Sequence, residues 1–111
     1  MAKKTKSELL AFYGTKEGQH KINTIKNGLI AGTMESFEEI FATVAPSHLQ
    51  TLLGNEFYAF AKKIDDPGRF NLNEIEFIAG FFKVDFDIML RFVRRDMLNT
   101  QKRNSKKRKT R

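Results

Sequence analysis

The chain has 111 residues, of which 41% are hydrophobic, and a formal net charge of +7, which suits one domain with a real core. The absence of cysteine excludes disulfides, thiolate metal sites and Cys nucleophiles. No apolar run approaches the ~20 residues of a membrane span or reads as a signal peptide behind the N-terminal lysines, so a cytoplasmic protein is expected.

The first residues, Met1 to Lys6, are basic and polar. Ser7 is predicted to cap a short helix reaching Tyr13, with Gly14 as its stop. Thr15 to Gln19 reads as a loop. From about residue 20 to 99 the chain reads as helix after helix. Ile22, Ile25, Leu29 and Ile30 follow helical spacing. Ser36-Phe37-Glu38-Glu39 has the form of a capping box, and Phe37, Ile40, Phe41 and Val44 share the face that follows. Pro46 favours a new helix start, with Ser47 behind it. Leu49, Leu52 and Leu53 run into Gly54, and Asn55 or Glu56 opens a helix carrying Phe57, Phe60 and Ile64. Asp65-Asp66-Pro67-Gly68 is a turn signal. Asn71 to Glu74 forms a second capping box before Leu72, Ile75, Ile78, Ala79 and Phe82. Asp85 caps a last helix with Phe86, Met89, Leu90 and Val93. Its end carries Arg91, Arg94 and Arg95, where cations suit the helix dipole. No window alternates with period two, so the predicted class is all-α.

Charge divides the chain more sharply than its total suggests. Residues 1–33 carry a net +4, residues 34–100 a net −4, and residues 101–111 a net +7 from seven Lys and Arg with no acid. The expected organisation is a basic N-terminal extension with short helices over 1–33, a helical domain over 34–99, and a basic tail over 100–111. That tail has no apolar side chain after residue 100 and repels itself, so it is predicted to be disordered.

The segment around Leu53-Gly54-Asn55-Glu56 carries the functional argument. Two short helices joined by a tight Gly-containing turn make the helix-turn-helix arrangement. The turn needs glycine because one residue must take a left-handed conformation. Leu49, Leu52 and Leu53 are expected to hold Phe57, Phe60 and Ile64, leaving the other face of the second helix bare.

Leu49-Gln50-Thr51-Leu52-Leu53-Gly54 resembles the Leu-Ala-x-x-Leu-Gly core of the lambda-repressor/Cro-like helix-turn-helix domains. Ile75 to Asp85 is similar to that family's fourth helix and its exit into the fifth, and Ser36 to Phe41 stands where its first helix lies. The likeness covers about residues 36–93. It implies a five-helix domain that binds double-stranded DNA as a dimer and regulates transcription in bacteria or phage, on the nucleoid. The positions it implies at the bases are Asn55, Glu56, Tyr58, Ala59, Lys62 and Lys63. Ser47 and His48 would meet a phosphate at a helix N-terminus. Lys102, Arg103, Lys106, Lys107, Arg108, Lys109 and Arg111 would hold the backbone. The chain departs from the pattern at Gln50, usually Ala, and at Glu56 and Phe57, where a small polar cap and Gln or Arg readers are usual. Phosphate affinity is therefore expected to come mostly from the tail, with strong salt dependence.

Other chemistries find little support. His20 and His48 have no ligand spacing, so no metal is expected. Asp65/Asp66 and Glu38/Glu39 read as a turn and a helix start rather than acid–base pairs. Gly14, Gly18, Gly28 and Gly32 match no phosphate loop. No cofactor and no enzymatic activity are expected. The Phe-rich stripe of Phe57, Phe60, Phe77, Phe81, Phe82 and Phe86 reads as core, with Phe77 and Phe81 off the main stripe and available to a homodimer. The alternative function is an RNA-associated or structural accessory protein anchored by its tail.

Overall fold

Thr5, two residues before the predicted cap, opens the first helix. Its hydroxyl accepts from the Glu8 N–H at 3.2 Å, and the Glu8 carboxylate accepts from the Thr5 N–H at 2.9 Å. The computed structural model describes residues 4–109, and the side chains of 4–102. Seven helices account for the fold, with no strand among the described residues. They are α1 (Lys6–Tyr13), α2 (Lys16–Ala31), α3 (Phe37–Phe41), α4 (Pro46–Leu53), α5 (Phe57–Asp65), α6 (Leu72–Phe81) and α7 (Phe86–Lys109), with a 3₁₀ turn at Pro67–Arg69. The all-α prediction holds.

The loop predicted over Thr15 to Gln19 is instead the first turn of α2. Thr15 caps it, its hydroxyl accepting from the Gly18 N–H at 3.2 Å. Gly18 lets α2 cross the end of α1 at backbone contact. A Cβ there would lie 2.3 Å from the Phe12 carbonyl oxygen and 2.4 Å from the Tyr13 Cα. Backbone atoms cannot step aside cheaply, so Gly18→Ala is expected to destabilise the fold by about 2 kcal/mol, measured as a lower urea midpoint at unchanged slope.

The segment before residue 34 is no appendage. Leu9 and Tyr13 of α1, with Ile22, Ile25 and Leu29 of α2, are buried in the same cluster as the side chains of α3 to α7. Ile30, grouped with them by spacing, is exposed. Phe37 lies deep in that cluster, stacked on Phe70 at 5.2 Å between centroids and edge-on to Phe92 at 5.1 Å. Such aromatic pairs add to the stability from burial alone.

The two predicted capping boxes part company. Asn71 and Glu74 form theirs fully, with bonds of 2.8 and 3.1 Å. Ser36 makes no side-chain cap, and Glu39 reaches past it to the Glu35 N–H. The start of α3 is served from elsewhere. The Phe37 N–H donates to the Asp96 carboxylate at 3.0 Å, and Asp96, only 3% exposed, also accepts from the Thr100 hydroxyl at 3.4 Å.

Met89, Phe92, Val93, Asp96 and Thr100 are the buried side of α7, at spacings of three and four residues. The helix then runs on to Lys109, where the sequence suggested a disordered tail. Two physical reasons favour continuation. Residues 86–109 contain no Gly or Pro, and adding a residue to a formed helix is far easier than nucleating one.

Candidate nucleic-acid interface

The corner between α4 and α5 forms as its sequence suggests. Pro46 occupies the first turn of α4, where a missing N–H costs nothing. Gly54 ends the helix at φ 71°, the left-handed region that disfavours side chains, and its N–H bonds back to Thr51. The amide of Gln50 donates to the Asn55 carbonyl at 3.4 Å and helps close the turn. Glu56 is the N-cap of α5 but makes no side-chain cap.

A polar network locks this corner to the start of α6. The Glu74 carboxylate accepts from the Lys63 ammonium at 2.6 Å and from the Asn55 amide at 3.0 Å, and Lys63 also donates to the Asn55 side-chain oxygen at 3.0 Å. Glu74 thus serves as the second half of the α6 capping box and as the counterion of Lys63. Burial pushes its carboxyl upward. The hydrogen bonds from Lys63, the Asn71 backbone and Asn55, with the charge of Lys63, outweigh burial and hold it below its usual value.

The predicted site residues therefore divide. Glu56, Tyr58 and Lys62 are exposed on α5, Tyr58 to 72%. Ala59 is half-buried. Asn55 and Lys63 are committed to Glu74 and are structural. The expected packing of Phe57 under α4 does not occur. Phe57 is 61% exposed, and its ring meets Tyr58 edge-on at 5.3 Å. Phe60 alone of the expected α5 trio is fully buried, with Ile64 packed partly against the core. Two adjacent bare aromatics thus begin α5, where the spacing argument had assigned only one.

Ser47 is exposed at the start of α4, but His48 turns inward. The Tyr13 hydroxyl and the His48 Nδ1 are hydrogen-bonded at 2.8 Å. Burial, followed by the nearby charges of Lys4 and Lys21, pushes the imidazole below its ordinary pKa. The imidazole is thus engaged by Tyr13 and is not presented to solvent beside Ser47. Lys4 and Thr51, which the sequence did not single out, join Ser47 and His48 around a recess of about 190 Å³. Their approach depends on how α1 lies on α4, which no local spacing records.

Further round the molecule, Arg95 donates to the carbonyls of Gly32 at 3.0 Å and Met34 at 3.4 Å, closing the end of α2. Arg94 and Lys102 are exposed. The side chains of Arg103, Lys106, Lys107, Arg108 and Lys109, and all of Arg111, lie outside the described residues. Among the described residues no three His, Asp or Glu side chains could hold a metal ion. No helix among them is long and apolar enough to cross a membrane. Comparison with models of known families, with curated proteins and with solved structures finds no match.

Proposed function

We propose that the chain is a small helix-turn-helix DNA-binding protein, a transcription regulator of bacterial or phage type. The observation that carries this reading is the left-handed corner at Gly54, followed by a short helix whose outward side presents Tyr58 and Lys62 to solvent. A helix so presented fits the major groove, about 12 Å wide. In this reading α5 occupies the groove, Ser47 meets a phosphate, and the cations of the tail supply most of the affinity. With Glu56, Asp65 and Asp66 flanking Lys62, base discrimination is modest.

The commitment of Lys63 and Asn55 to Glu74 also favours a second reading. It leaves Lys62 as the exposed cation of α5, which suits a tail-anchored partner of RNA whose helical domain binds protein. One experiment separates the two. Binding of duplex DNA and of structured RNA is measured for the full chain, for residues 1–100, and for Tyr58→Ala with Lys62→Ala. Lys63 is left intact, because its removal would disturb the fold. The DNA reading expects residues 1–100 to retain a duplex preference, and the double variant to weaken duplex binding by about 5- to 10-fold. Loss of all binding on truncation, with no effect of the double variant, would instead establish the tail-anchored reading.

A further inference from the structure

Two residues near the end of α6 break the rules of local structure, and both line the same groove. Gly80 lies within the helix, where glycine is less favourable than alanine. No packing explains it, since a Cβ at Gly80 would meet nothing within 4 Å. Lys83 follows the helix at φ 59°, a conformation natural to glycine and unfavourable for a lysine. The turn itself closes normally, with the Lys83 N–H on Gly80 and the Val84 N–H on Ala79. A sequence shaped by folding alone would place alanine at the first position and glycine at the second. Local violations of this kind collect at functional surfaces.

The groove they line has a volume of about 430 Å³ and lies among α1, α2 and α6. Leu10, Phe77 and Phe81 give it an apolar wall, with the two phenylalanine rings stacked at 6.4 Å. Glu76 and Lys83 stand at its rim, both exposed, and the Lys83 ammonium rests on the Gln19 side-chain oxygen at 2.6 Å. We infer that this groove is the contact surface for a second copy of the chain, with the two α6 helices crossing antiparallel at Gly80.

Symmetry and charge select that occupant. In a two-fold contact, any residue that meets a second residue of the other copy is met in turn by that residue's twin, so every unlike pair occurs twice. An axis beside Ala79 and Gly80 sets Glu76 against Lys83 of the partner subunit, and Phe77 against Phe81 of the partner subunit. The charged pair and the aromatic pair share nearly one midpoint, so a single axis satisfies both. The missing Cβ at that midpoint lets two backbones approach closely. Lys83 then supplies the countercharge that glycine could not, which accounts for a lysine held in a glycine's conformation.

The test is sedimentation velocity without nucleic acid, so its outcome is independent of the DNA reading. The full chain is examined across roughly 5–500 μM, a span that brackets weak association. Wild type is expected to dimerise. Gly80→Gln and Lys83→Glu are each expected to weaken the dimer by about tenfold or more. Glu76→Lys combined with Lys83→Glu restores the opposite pairing and is expected to recover it. Gly80→Gln should melt no lower than wild type under monomeric conditions, since glutamine is the better helix former. A wild-type chain that stays monomeric throughout overturns the inference. So does a dimer indifferent to both single variants, or a charge swap that fails to recover association.

Discussion

Glu74→Ala is expected to lower folding stability by about 3 kcal/mol, the scale for removing one partner of a largely buried ion pair. The carboxylate receives the Lys63 ammonium, the Asn55 amide and the Asn71 N–H. Its loss strands Lys63 in a poorly solvated position and at the same time opens the capping box of α6. Replacing both charges at once, as Lys63→Met with Glu74→Leu, is expected to be far milder than the sum of the single changes, because no charge is then left unpaired. Urea unfolding of the four proteins in that cycle checks the claim. Additivity within ~0.5 kcal/mol would mean that the two residues act independently.

The same carboxylate gives the stability a defined pH dependence. Its folded pKa lies below the ordinary value of 4.5, so the unfolded chain binds the proton more readily. The stabilisation is therefore complete above the unfolded value and is lost as pH falls through the folded one. Between about pH 5 and pH 3 wild type should lose stability more steeply than Glu74→Gln, which has no carboxyl to protonate. Parallel slopes would remove Glu74 from the account.

Deleting residues 101–111 is expected to weaken duplex DNA binding by about 100-fold or more near 0.1 M salt, because the counterions those residues displace are no longer released. Seven cations leave with that segment and no acid does. Each phosphate that is no longer neutralised takes about 0.9 from the slope of log affinity against log salt. Engagement of four or five cations would flatten the slope by roughly four units. Among the described side chains of α7, Thr100 is the last buried one, so the remaining chain keeps the described core and should unfold at nearly the wild-type urea concentration. Fluorescence anisotropy at four or more salt concentrations gives affinity and slope from one titration. A truncated protein with an unchanged slope would place the phosphate-binding groups elsewhere on the molecule.

Features decided within a few residues were legible in the sequence. Pro46 starts a helix, Gly54 ends one in a left-handed turn, and Asn71 pairs with Glu74, each because the relevant groups are near neighbours on the chain. Features decided by the choice among distant partners were not. Glu39 had the right spacing to bond Ser36 and bonded Glu35 instead, while the next amide, the Phe37 N–H, found its acceptor on Asp96 of another helix. Gly18 looked like part of a loop because the close crossing that needs it involves α1. At the candidate site, Tyr58 and Lys62, which the resemblance implied, stand exposed. Lys63, one residue on, was withdrawn by Glu74, and His48 by Tyr13. Phe57 misled for the opposite reason. Its apolar character suggested burial, but the start of α5 projects it into solvent.

The bond from Phe37 to Asp96 also constrains how the molecule matures during synthesis. The five residues of α3 are too few to hold a helical turn unaided, and the carboxylate that receives their leading amide is translated 59 positions later. A nascent chain halted before residue 96 therefore carries Phe37 and Ile40 without their final enclosure. At the usual pace of elongation, about 5–20 residues per second, that interval lasts several seconds. Closure of the central cluster must wait until α7 has left the ribosome, making that helix the piece that commits the earlier ones.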